Sequence, residues 1–98
     1  MKNQRVEKIR ILLLKEVSNY LKFEMNLPNI QVTKVLLSSD LRKSKIFFVD
    51  VLGKIDEANF LEQQLNSNSN KIRRDLFRRL SLKIVPELIF EYDRGYYL

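Results

Sequence analysis

The spacing of apolar residues along this chain switches from helical period to strand period and back, and the order of those switches leaves few folds open to 98 residues. Over residues 5–23, Val6, Ile9, Leu13, Val17, Tyr20 and Leu21 recur at intervals of three and four, which makes one face of a long amphipathic helix. Pro28, following Asn26 and Leu27, ends that helix, because proline disfavours helical geometry in the residue before it. Residues 30–37 and 45–52 are rich in β-branched and aromatic side chains, with Ser38, Ser39, Asp40, Lys43 and Ser44 supplying turn chemistry between them. They read as a β-hairpin with a fairly long basic tip, closed by Gly53. Asp56 is placed to cap a short helix running to about Leu65, with Ala58, Phe60, Leu61 and Leu65 as its apolar positions. The Asn/Ser run at residues 66–70 interrupts it, and a second helix follows over residues 71–82, with Ile72, Leu76 and Leu80 on one face and Phe77 beside them. Ile84, Pro86, Leu88, Phe90 and Tyr92 then alternate with polar residues as a half-buried strand does, and Pro86 puts the start of that strand at a sheet edge. The expected architecture is α+β, helix-strand-strand-helix-helix-strand, with a mixed three-stranded sheet covered by helices on one face. The last strand, returning after a helical crossover, should run parallel to the strand before it.

Length leaves room for one core, so residues 1–98 are expected to form a single domain. A domain of this size buries only roughly 60–65% of its unfolded surface, which leaves little for a deep enzyme pocket. The absence of Cys and His removes disulfides, thiol nucleophiles, thiolate and imidazole metal sites, and the commonest general base. No cofactor is expected. The longest aliphatic run, residues 11–14, is far short of a membrane span, so a soluble, cytoplasmic protein without a membrane partner is expected.

The net charge of +6 is unevenly spread. Residues 71–83 hold Lys71, Arg73, Arg74, Arg78, Arg79 and Lys83 against the single Asp75, a net +5, whereas residues 55–70 carry −3. At 100° per residue Lys71, Arg74 and Arg78 lie opposite the apolar stripe, with Arg73 and Arg79 at its margins. A solvated helix face is the ordinary meaning of such a run, but its one-sided placement suits a polyanion.

The hairpin residues Val35 to Arg42 with Ile46, Val49, Val51, Leu52 and Gly53, and the closing segment Leu82 to Asp93, resemble the bacterial ribosome-binding factor A family. Leu65, Asn66, Ile72, Arg73 and the opening Arg5, Val6 and Ile9 extend the resemblance over essentially the whole chain. It implies a type II KH-like fold of order α-β-β-α-kink-α-β, and a non-enzymatic factor that binds the immature 30S subunit and its 16S rRNA during late small-subunit maturation and rRNA processing. In that family the kink between the two helices is usually an Ala-x-Gly motif. Here it falls on Asn68, Ser69 and Asn70, so its geometry is expected to rest on Asn70 taking a conformation easier for glycine. With Leu98 close behind the last strand, no function that needs a longer C-terminal tail is expected to carry over.

The expected RNA-binding residues are therefore Lys71, Arg73, Arg74, Arg78 and Arg79 on the helix, with Arg42, Lys43 and Lys45 of the hairpin loop as a second patch, and the chain is expected to act as a monomer. Of the aromatics, Phe47 and Phe48 point to opposite faces of the sheet, and Tyr96 and Tyr97 are expected to pack over its edge more than to stack on RNA. Two other readings compete. The basic helix suits docking of an acidic protein, and Asp40, Asp50, Glu87, Glu91 and Asp93 are the carboxylates a magnesium-dependent nuclease would need. Charged residues that deter strand pairing at a sheet edge are the simpler account of the last three.

Overall fold

A computed structural model describes residues 4–53 and 55–96. The first helix, α1 (Gln4–Asn19), buries Ile9, Leu13 and Val17, one residue per turn, and runs into a widened turn, Tyr20–Glu24, in which the Met25 N–H donates to the Tyr20 carbonyl at 3.1 Å. The extra residue in this turn lets Tyr20 and Leu21 both reach the core. Asn26, at φ 55°, then reverses the chain, and the Leu27 N–H donates back to the Leu21 carbonyl at 2.9 Å, so a left-handed asparagine ends the helix two residues before Pro28.

Strand β1 (Ile30–Leu37) pairs antiparallel with β2 (Lys43–Asp50), with a bulge between Val32 and Lys34, and β2 pairs parallel with β3 (Glu87–Tyr92). The order β1-β2-β3 leaves β3 at an edge, with Pro86 just before it. The hairpin is tighter than the sequence suggests. Lys43 and Ser44 belong to β2, and the buried Ser44 is satisfied by donating its hydroxyl to the Glu87 carbonyl at 2.8 Å.

Between β2 and β3 lie α2 (Ala58–Ser67) and α3 (Ser69–Arg79). Asp56 does not cap α2: it sits in a one-turn 3₁₀ segment, Ile55–Glu57, and Glu57 occupies the cap position without a side-chain cap bond. Phe60, expected among the apolar positions of α2, is 65% exposed. The kink also differs from expectation. It is made at Asn68 in right-handed space, φ −99° and ψ 1°, while Asn70 is an ordinary member of the first turn of α3. Ser67 donates to the Gln63 carbonyl and Asn68 to the Gln64 carbonyl, so the break is held by side chains that satisfy the last carbonyls of α2 rather than by a glycine-like residue.

Helix α1 packs against β1, and α2 and α3 against β3. Ile9, Leu13, Val17, Leu21, Leu61, Leu65, Ile72 and Leu76 from the helices meet Val35, Ile46, Phe48, Leu88, Phe90 and Tyr92 from the sheet in one buried cluster. On the opposite face the register aligns Lys34, Phe47 and Glu91 in one row and Leu36, Lys45 and Ile89 in the next. The free edge of β3 is covered by α2. The Asn66 amide both donates to the Phe90 carbonyl (2.9 Å) and accepts from the Phe90 N–H (2.8 Å), and Glu62 accepts the Tyr92 N–H at 2.9 Å. Asn66 thus completes α2 instead of interrupting it, and the edge offers few free groups to another strand.

Candidate nucleic-acid interface

Helix α3 presents its charges as its period requires. Ile72 and Leu76 are fully buried, and Lys71, Arg74 and Arg78 are exposed on the far side, spanning roughly 10 Å of helix axis. Lys71 and Arg74 enter no hydrogen bond or ion pair with the described residues, and Arg78 approaches only Asp75, at 3.8 Å. The two marginal arginines behave differently. Each lies about 60° from the centre of the apolar stripe, close enough to meet neighbouring structure. Arg73 is half-buried and its Nε donates to the Val85 carbonyl at 2.8 Å, which ties α3 to the segment leading into β3. Arg79 pairs with Glu24 and lies 5.5 Å from the centre of the Tyr20 ring. Both are engaged within the fold, unlike Lys71 and Arg74.

Asp75, the one acid of this helix, is also occupied. The Tyr20 hydroxyl donates to it at 2.5 Å. That hydrogen bond, with the charges of Arg78, Lys71 and Arg79, holds its carboxyl below the usual aspartate range, while burial and the Asp75 contact push Tyr20 up to about 12. Glu24 raises Arg79 further. Tyr20 therefore occupies the one acid of α3.

The tip of the hairpin is built by its own polar residues. Leu41 stands at φ 64°, a costly conformation for a branched residue, and packs against the core. Around it Ser38 donates its hydroxyl to Asp40 (2.7 Å), the Arg42 N–H donates to Asp40 (3.1 Å), and the Lys43 N–H donates to Ser38 Oγ (3.0 Å). The Ser38 hydroxyl, then the Arg42 N–H, hold the Asp40 carboxyl below its ordinary value. Arg42 and Lys43 are thus displayed, exposed, on a fixed turn. Lys45 shares a groove with Lys43, Leu36 and Ile89. It lies within β2 on the face away from the helices, 3.9 Å from Glu91.

The tip and α3 meet at residues 82–86. The Glu87 N–H donates to the Arg42 carbonyl at 2.8 Å. A recess of about 200 Å³ is lined by Arg5, Ile9, Asp40, Leu41, Leu82, Lys83 and Ile84. A second groove, of about 320 Å³, is lined by Arg73, Arg74, Phe77, Lys83, Ile84 and Val85. Lys83 and Ile84 belong to both, so α3 and the hairpin tip adjoin at one end of the molecule. Phe77, expected to flank the core, is 52% exposed there. Its helical angle, about 100° from the centre of the Ile72–Leu76–Leu80 stripe and between Arg73 and Arg74, is the signal that marks it as a surface residue. Ile84, which the alternation makes part of a half-buried strand, precedes β3 and is 53% exposed, and the fold brings Arg5 beside it and Lys83.

The other end has the opposite character. Asn59, Glu62, Gln63, Asn66 and Glu91 line a wide shallow recess between α2 and β3, where Arg94 pairs with Glu62 and holds it below the usual glutamate range. Phe47 offers no open ring, since Lys34 Nζ stands 4.4 Å from its centre, and Phe48 is fully buried. Tyr96 is half-exposed in the turn after β3, and Tyr97 lies outside the described residues. The five carboxylates of the nuclease reading are dispersed: Asp40 serves the hairpin tip, Asp50 is buried and accepts the Leu52 N–H, and Asp93 accepts the Thr33 hydroxyl. Among the described residues no three acidic side chains are grouped to hold a metal ion.

Comparison with known proteins agrees on one family. The sequence model of ribosome-binding factor A matches residues 5–97. The ribosome-binding factor A of Synechococcus sp. (strain CC9605) is 36% identical over 97 residues, covering 94% of this chain and 69% of that protein. That of Acetivibrio thermocellus is 36% identical over 104 residues, covering 97% and 83%. Among solved structures, ribosome-binding factor A from Thermus thermophilus superimposes with a TM-score of 0.72 at 16% identity, over 92% of this chain and 98% of that one. A homology model of the Thermus thermophilus protein, fitted into a cryo-EM map of its complex with 30S, gives a TM-score of 0.70 at 16% identity, over 89% and 94%. The α+β fold described above is the KH-like fold of these proteins.

Proposed function

Since the chain belongs to the ribosome-binding factor A family, we propose that it is a cytoplasmic ribosome assembly factor. It binds the immature 30S subunit and its 16S rRNA during late small-subunit maturation and rRNA processing, and it catalyses no reaction. The described chain acts as one monomeric RNA-binding domain. The observation that carries this reading is the row of exposed cations Lys71, Arg74 and Arg78 on α3, beside a groove lined by Arg73, Arg74 and Lys83 that shares Lys83 and Ile84 with the recess under the hairpin tip, where Arg42 and Lys43 are exposed. The fitting of the Thermus thermophilus relative into a map of a 30S complex supports the choice of partner.

Binding of this kind draws its affinity from phosphate neutralisation and reads shape rather than base identity. Engagement of about four to six phosphates by these cations makes affinity fall steeply with salt, by roughly 10² to 10³-fold between 50 and 200 mM. Co-sedimentation with purified small-subunit particles over a salt series measures this directly. A flat salt dependence, or retention on particles whose RNA has been digested, would remove the RNA-binding assignment.

A further inference from the structure

The groove between α3 and residues 80–86 has features that phosphate binding alone leaves unexplained. Phe77 and Ile84 are large apolar side chains, each more than half exposed, and they face the same opening of about 320 Å³. Its remaining lining is Val85 and three cations, Arg73, Arg74 and Lys83, with no acidic side chain among the lining residues. The wall is fixed in advance, because Val85 and Pro86 are buried and the Val85 carbonyl is held by Arg73. An aromatic ring left uncovered beside three cations on a rigid wall has the chemistry of a platform for a flat, neutral group carried by an anion.

Resting on the RNA-binding reading, we propose that this groove receives one unpaired nucleobase of the bound RNA, stacked on Phe77 and lying against Ile84. Its flanking phosphates meet Arg74 and Lys83. Arg74 belongs both to this groove and to the exposed stripe with Lys71 and Arg78, so a strand that follows the stripe arrives at Phe77 without leaving positive potential. Arg73 is a positioning residue that holds the wall. Because every base has a π-face, the site tolerates sequence but requires an unstacked base, which favours bulges, loops and strand ends over continuous duplex.

The chain contains no tryptophan, so Phe77→Trp places a single indole reporter in the groove. The probes are a mixed-sequence 12-nucleotide single-stranded RNA, a duplex of the same length, an abasic strand of the same length, and polyglutamate. Melting by circular dichroism checks that each variant folds. The single-stranded RNA is expected to quench the indole fluorescence, with little quenching by the abasic strand or the duplex at equal saturation. Phe77→Ala is expected to bind the single-stranded RNA about tenfold more weakly while its affinity for the abasic strand is unchanged. Saturation by single-stranded RNA without quenching overturns the base site and leaves the RNA-binding reading standing. Failure to bind any of the nucleic acids overturns that reading, and with it the base site. Quenching by polyglutamate but not by RNA overturns both in favour of an acidic protein partner.

Discussion

A chain carrying Arg74→Glu and Arg78→Glu together is expected to lose at least roughly 10²-fold in affinity for small-subunit particles at moderate salt, and its salt dependence should become shallower by about two phosphate contacts. The loss should come without unfolding. Both side chains are exposed, Arg74 enters no hydrogen bond or ion pair with the described residues, and Arg78 has only a surface contact with Asp75, of a kind that contributes little to stability. The same change of charge made elsewhere on α3 should act differently. Arg73→Glu removes the donor to the Val85 carbonyl and loosens the segment leading into β3, while Arg79→Glu sets two carboxylates against each other at Glu24. Co-sedimentation paired with thermal melts separates the two classes. Equal loss of binding from all four substitutions, each with an unchanged melting temperature, would show that net charge and not the placed stripe is what matters.

The second large effect concerns the core. Phe48 is completely buried on the central strand and meets Tyr92 of β3 edge-on, with ring centres 5.3 Å apart and planes at 77°. The Tyr92 hydroxyl in turn accepts the Asp50 N–H at 3.3 Å, so the pair ties β2 to β3 through both apolar area and a polar contact. Phe48→Ala is expected to cost about 3–5 kcal/mol. A domain of this length has only about 5–15 kcal/mol in total, so the variant should melt far lower or be partly unfolded at room temperature. Urea denaturation measures the loss. A cost below about 1 kcal/mol would mean that the sheet does not depend on this contact as described.

Much of this architecture is legible locally. Strand β1 runs over the residues its composition indicates, and the alternation before Tyr92 identifies β3 and its edge position. What the sequence leaves open is set by contacts distant along the chain. Ser44 looks like turn chemistry until Glu87 supplies its acceptor, and Asn66 looks like a helix breaker until Phe90 presents a strand edge for it to cap. The kink follows the same logic. An Asn/Ser run suggests left-handed backbone, yet side-chain bonds from Ser67 and Asn68 to the preceding turn break the helix in right-handed space.

The candidate site divides in the same way. Lys71, Arg74 and Arg78 follow from helical period alone. The diversion of Arg73 to a carbonyl 12 residues away and of Arg79 to a carboxylate 55 residues away does not, nor does the pairing of Lys45 with Glu91. The carbonyl of Arg42 and the shared side chains of Lys83 and Ile84 join two patches that lie far apart in sequence.

On the proposed function, RNA lies against the end formed by α3, residues 82–86 and the hairpin tip. Zero-length crosslinking from a photoreactive residue, installed one position at a time and followed by mapping of the joined nucleotides on immature small-subunit particles, tests it most directly. Positions 71, 78 and 83 should crosslink to 16S rRNA, whereas position 34 on the open sheet face and position 59 on α2 should not. Crosslinks to rRNA from positions 34 or 59, with none from positions 71, 78 and 83, would place the RNA on another face of the protein.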